Sequence, residues 1–156
     1  MRIFYILFAF AMSIFAAEVI ITSNNFEGDE KSGVSKFYGN AKAVKGQDIL
    51  TATTFYVYTT PNRKVQRVEA VGDAKFYIVN DAKTYQGYAD KLVYYPDKKE
   101  YELIGNAMAE NLEEKRKVFG DYIVVNNETK KAFVKGNEAK PARFIFYIED
   151  ENKSKK

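Results

Sequence analysis

A fourfold internal repeat limits what this chain can fold into more than any other feature. A Gly-Asn or Gly-Asp step between apolar residues recurs as Phe37-Tyr38-Gly39-Asn40-Ala41, Ala70-Val71-Gly72-Asp73-Ala74 and Leu103-Ile104-Gly105-Asn106-Ala107. It returns in weaker form as Val134-Lys135-Gly136-Asn137, and the four glycines are 33, 33 and 31 residues apart. A second half-motif precedes each step. Asn24-Asn25-Phe26, Asp90-Lys91-Leu92-Val93-Tyr94 and Asp121-Tyr122-Ile123-Val124-Val125 each start 15 residues before their glycine. In the remaining copy, Thr54-Phe55-Tyr56-Val57-Tyr58 starts 18 residues before Gly72, with three extra residues placed at the Pro61-Asn62 turn, where an insertion is tolerated. Self-similarity at fixed period means one structural unit stacked on copies of itself.

Each unit reads as two strands. Apolar and polar residues alternate through the half-motif, and a turn such as Tyr95-Pro96-Asp97-Lys98-Lys99 or Asn126-Asn127-Glu128-Thr129 follows. A second alternating stretch then crosses the Gly-Asn step. Period-two alternation bounded by turn residues is the strand signature, and glycine within a strand marks a bulge or bend. Twelve Tyr and twelve Phe, with no Trp, Cys or His, suit pleated sheet. The fold class expected is all-β, with a last strand over residues 142–148 and a charged, disordered tail over 149–156.

Strand parity assigns the faces. In the half-motifs the inner positions are Phe26, Tyr56 and Tyr58, Leu92 and Tyr94, Ile123 and Val125. In the second strands they are Phe37 and Ala41, Ala70 and Ala74, Leu103 and Ala107. Large aromatics beside alanines are what an ordinary sandwich core contains. They also suit a trough between two incompletely closed sheets, but parity alone favours the ordinary core.

The first 17 residues read as a secretory signal peptide: Arg2, an apolar run from Ile3 to Phe15, then Ala16, Ala17 and Glu18. The 13 residues of that run, apolar apart from Ser13, fall short of the roughly 20 of a spanning helix; retention as an anchor is the alternative. The mature domain is then 18–148. Without cysteine an exported chain is held by packing alone. The formal charge of +3 is spread through the sequence, unlike the basic patch of a nucleic-acid binder, so no nucleic-acid partner is expected. Lacking His and Cys, the chain cannot build Ser-His or Cys-His nucleophiles or His/Cys metal sites. Gly28, Gly33 and Gly46 form no phosphate-binding loop. The expectation is no enzyme, no catalytic residue, no metal and no cofactor.

These motifs resemble the OstA-like, LptA-type family of periplasmic lipopolysaccharide transport proteins. The likeness spans Val19 to about Lys140, and it is most specific in Ile21-Thr22-Ser23-Asn24-Asn25 with the Gly39 step. Gly87-Tyr88-Ala89-Asp90-Lys91-Leu92 with the Gly105 step is as specific. Asn24 and Thr54 depart from the usual Asp, and Glu138 from a small apolar residue. The resemblance implies a twisted, open β-jellyroll that binds acyl chains of lipid A in its interior, in the periplasm of a Gram-negative bacterium. Under it, the residues expected on acyl chains are Ile21, Phe26, Phe37, Tyr56, Tyr58 and Phe76, together with Leu92, Tyr94, Leu103, Ile123 and Val125. Partners implied are lipopolysaccharide, inner- and outer-membrane components of the transport system, and further copies of the chain stacked end to end. Two strand-prone segments without internal protection, Val19, Ile20, Ile21 at the start and Phe144, Ile145, Phe146 near the end, are the edges expected to join head to tail. A membrane-anchored relative of the same system and a secreted β-protein without ligand are the competing readings.

Overall fold

The structure, a computed structural model, describes residues 18–149. The leader expected over residues 1–17, and the expected tail from residue 150 on, lie outside the described residues. All regular elements described are strands: β1 (Ile20–Thr22), β2 (Asn25–Asp29), β3 (Val34–Lys45), β4 (Asp48–Thr59), β5 (Val65–Asn80), β6 (Lys83–Tyr95), β7 (Glu100–Asn111), β8 (Arg116–Asn126), β9 (Lys131–Lys135) and β10 (Arg143–Ile145). They form one antiparallel sheet in sequential order. The first and last lines of the sheet are each broken in two. β1 pairs with Lys42–Val44 of β3 and β2 with Val34–Tyr38 of the same strand; β9 and β10 share β8 in the same way. Eight strand lines result, two per repeat unit. No pairing joins the β1–β2 margin to the β9–β10 margin, so the twisted β-jellyroll is open, as expected.

The Gly-Asn steps bend the sheet. Gly39 and Asn40 have φ of +84° and +48°, Gly72 and Asp73 +89° and +45°, and Gly105 and Asn106 +81° and +46°. Two successive left-handed residues are costly for most side chains, and Gly followed by Asn or Asp is the pair that tolerates them. The ladder slips by one residue at each step, between Tyr38 and Ala41, Val71 and Ala74, and Ile104 and Ala107. A bulge adds bend and twist to its strand. Because the steps lie side by side, the whole sheet folds about one crease and its two halves face each other. Along the crease, where the halves converge, the inward residues are small: Ala41 opposite Ala52, Ala74 opposite Ala89, and Ala107 opposite Gly120. These alanines are 7% exposed or less. The next inward row is large: Phe37, Phe55, Leu92, Leu103 and Ile123, interrupted by Ala70.

A side chain from the preceding strand line latches each of the first three glycines. A Cβ on Gly39 would approach Asn24 Cβ to 2.9 Å, one on Gly72 would approach Thr53 Oγ1 to 2.7 Å, and one on Gly105 would collide with the Asp90 carboxylate. Asn106 Nδ2 donates to Asp90 Oδ2 at 3.1 Å, and Asn137 Nδ2 donates to Asp121 in the fourth unit.

This corrects the second copy. Its anchor is Thr53, whose hydroxyl donates to the Gly72 carbonyl at 3.4 Å, and not Thr54. The half-motif begins 19 residues before Gly72, and a one-residue slip exchanges the faces of every side chain that follows. Phe55, opposite Phe37 and Ala70, is the inward residue and is fully buried. Tyr56, opposite Lys36 and Glu69, and Tyr58, opposite Arg67, stand on the outer face.

The final strand is also shorter than expected: β10 covers Arg143–Ile145 only. At the fourth step the chain leaves the sheet. Asn137 and Lys140 close a local turn, with Asn137 N donating to Lys140 O and Lys140 N to Asn137 Oδ1. Exposed Glu138 stands where the other units place a residue that enters the crease. Only three residues then regain pairing with β8.

Candidate functional site

Between the two halves lies an apolar cavity of about 250 Å³. One wall comes from beyond the crease, with Phe76 and Ile78 of β5, Tyr85 of β6 and Ala109 of β7. The facing wall carries Leu92 of β6, Tyr101 and Leu103 of β7 and Val125 of β8. Both walls are inward rows of neighbouring strands, with β6 and β7 contributing to each, brought face to face by the fold at the bulges. Asn80, Asn126, Asn127, Lys130 and Lys131 lie at the mouth. The lining holds no carboxylate.

The expected acyl-contact residues divide into four groups. Phe76, Leu92, Leu103 and Val125 line the cavity. Ile21, Phe37, Tyr94 and Ile123 belong to the same continuous interior cluster. Phe26 faces inward at the β2 margin, with its ring centroid 4.9 Å from that of Phe37, yet it is 59% exposed because no further strand covers it. Tyr56 and Tyr58 do not join them; they lie on the other side of the sheet. Sequence reasoning missed Phe55, Ile78, Tyr85 and Tyr101. Phe55 would have followed from placing the anchor at Thr53, and Tyr101 from extending the inward parity four residues back from Gly105.

Tyr101 shows how dry the interior is. Its ring stacks on Tyr94 with centroids 4.5 Å apart. Burial pushes its phenol well above the ordinary tyrosine value, with the neighbouring Tyr94 and Asp48 adding to the effect. Asp48 belongs to the half of β4 across the crease from Tyr101, so the two walls stand close. The outer face is different chemistry. Glu69 is buried there and accepts from Lys91 Nζ at 2.6 Å, with Arg67 at 3.7 Å. Burial alone would raise its carboxyl, but the Lys91 and Tyr58 hydrogen bonds and the Lys91 and Arg67 charges outweigh that and hold it below the usual range. Lys36 lies over the rings of Tyr38 and Tyr56, at 4.7 and 5.9 Å.

Among the described residues no cluster of His, Cys, Asp and Glu could hold a metal ion, and no helix is long and apolar enough to cross a membrane. The inner chemistry is hydrocarbon with a basic, amide-rich rim.

The family model for the LptA/(LptD N-terminal domain) LPS transport protein matches residues 20–131. The chain belongs to this family. The family is one of transport proteins, which places the chain in lipopolysaccharide (LPS) transport. The fold agrees with a solved structure, that of LptH, the LptA homologous periplasmic component of the conserved lipopolysaccharide transport device from Pseudomonas aeruginosa. The two superpose with a TM-score of 0.71 at 20% identity, over 85% of this chain and 96% of that one. A search of curated proteins returns no match.

Proposed function

We propose that this family member is a periplasmic carrier that shields the acyl chains of lipid A between the two halves of its folded sheet. In this reading it hands LPS from inner-membrane to outer-membrane components of the transport system. The observation that carries the reading is the apolar cavity between the open halves, in a chain of an LPS transport family. The physical need is large. Exposing an acyl chain of about a dozen methylenes to water costs roughly 10 kcal/mol at about 0.8 kcal/mol per methylene. A shield of this kind requires no bond-making chemistry.

The cavity of about 250 Å³ is below the roughly 300–1,000 Å³ of sites for drug-sized ligands. It accommodates part of one chain, so entry of several requires the two halves to part about the crease. An open sheet allows this, because no ladder closes the far side. The same openness leaves free margins at β1–β2 and β9–β10. In the proposal, Val19, Ile20 and Ile21 of one copy meet Phe144, Ile145 and Phe146 of the next, which aligns the interiors. Two different edges make a heterologous contact that extends into open filaments.

Photo-crosslinkers tell the two faces apart. Placed at Phe37, Phe76 and Val125 in protein expressed in a Gram-negative periplasm, they should capture LPS; at Lys36, Tyr56 and Lys91, on the outer face, they should not. Equal capture by both sets, or capture by neither, sinks the carrier reading.

A further inference from the structure

The seven hairpin turns fall alternately on the two lips of the folded sheet, and the lips differ in charge. Turns after β2, β4, β6 and β8 form one lip; turns after β3, β5 and β7 form the other. On the first lip three of the four turns place a basic residue in the left-handed conformation: Arg63 at φ +62°, Lys99 at +50° and Lys130 at +59°. The fourth turn has Gly33 there, at +70°. Lys64, Lys98 and Lys131 adjoin the three basic residues, so this lip carries more Lys and Arg than Asp and Glu. On the second lip the corresponding residues are Gly46, Ala82 and Lys115, and acidic and basic residues balance, with Glu113 and Glu114 beside Lys115.

Left-handed backbone is unfavourable for a long side chain and is usually given to Gly or Asn. These turns therefore hold Arg and Lys where local conformation argues against them. Arg63, Lys99 and Lys130 are exposed, and among the described residues none of the three makes an ion pair. Lys130 and Lys131 border the mouth of the apolar cavity, whose lining contains no carboxylate. Turns on one lip are two strands apart, about 10 Å at the usual strand spacing.

We infer that Arg63, Lys99 and Lys130 form a basic rail along one lip, which holds the phosphate of an anionic lipid while its chains lie in the interior. The inference rests on the carrier reading and goes beyond it: it assigns a head-group subsite, fixes which lip the head group follows, and makes phosphate a determinant of specificity. Repetition at about 10 Å steps gives a moving head group a succession of equivalent sites, so translation along the trough never strands the charge without a partner.

Asparagine is the informative substitution, because it removes the charge and tolerates left-handed backbone better than Lys or Arg. R63N/K99N/K130N should therefore fold at least as well as the parent, and K115N on the opposite lip is the matched control. Binding is measured on the full mature chain with bisphosphorylated lipid A, enzymatically dephosphorylated lipid A, and inorganic phosphate as competitor. A basic residue near an anionic lipid surface contributes about fivefold in affinity at low salt. The triple variant should lose at least that factor for phosphorylated lipid A and nothing for the dephosphorylated form, with a weaker salt dependence. K115N should behave as the parent, and millimolar phosphate should compete poorly, since it lacks chains to bury. Equal affinity of parent and triple variant for phosphorylated lipid A overturns the rail, as does an equal loss with K115N. Full displacement by inorganic phosphate at the lipid's own concentration overturns the lipid assignment in favour of a free anion. If the parent binds neither lipid form, it is the carrier reading that falls.

Discussion

Replacing Phe55 by alanine should cost far more than replacing its neighbour Tyr56, and the comparison tests which way the second repeat unit faces. Phe55 is fully buried, stands opposite Phe37 and Ala70, and belongs to the interior cluster. Truncating a buried Phe loses its transfer free energy and leaves a cavity that the surroundings refill only in part, at about 3–5 kcal/mol. For a chain of this length each kcal/mol moves the melting temperature by about 2–4 °C, so the expected drop is roughly 10 °C. Tyr56 is half-buried on the outer face, opposite Lys36 and Glu69. Its loss removes a cation–π contact and some strand propensity, together about 1 kcal/mol or less. Both variants are measured lipid-free by thermal and urea unfolding, followed by circular dichroism because the chain has no Trp. An unchanged urea slope would show that the difference is one of stability and not of denatured-state compactness. If Tyr56→Ala proves as costly as Phe55→Ala, the Thr53 register is wrong.

Gly105→Ala should destabilise by about 1–3 kcal/mol, because φ is +81° and the new methyl meets the Asp90 carboxylate. Gly46→Ala, at φ +60° with open space around it, should cost less in the same unfolding assay, and an equal cost would mean that the latch adds nothing. Glu69 is held below its ordinary value of 4.5 in the folded state, so its charge stabilises the fold above the unfolded-state value, and that contribution is lost as pH falls through the folded one. Glu69→Gln should accordingly flatten the acid limb of the stability curve below about pH 4.5, and an unchanged limb would rule this out. Ile145→Pro, on the free β10 margin opposite Lys117, should reduce oligomers in light scattering while leaving the circular dichroism spectrum largely unaltered; a parent that stays monomeric at high concentration removes the premise.

Much of the architecture was readable from the repeat. A glycine followed by Asn or Asp is a local signal for successive left-handed residues, and three of the four steps adopt that conformation. The fourth shows the limit: Gly136-Asn137 carries the same two residues, yet the chain departs into a local turn around Asn137 and Lys140. Parity worked wherever the anchor was recognisable. Asp90 and Asp121 led correctly to Leu92 and Ile123, both buried. Where Thr51, Thr53 and Thr54 crowd together, composition could not say which one meets the glycine, and a single-residue choice turned Tyr56 and Tyr58 to the wrong face.

The sequence by itself determined the all-β class, the two strands per unit, the positions of the bends and the apolar character of one face. These are local properties, set by backbone conformational preference and by the period of side-chain alternation within a few residues. Tertiary structure alone decided that Phe76 and Tyr85 come to face Leu92 and Val125 across the crease, and that the alanines line its narrowest part. It also decided that the turns sort into a basic lip and a neutral one. Those relations join residues on opposite halves of a folded sheet, and they depend on how several bulges add up, which no window of the sequence contains.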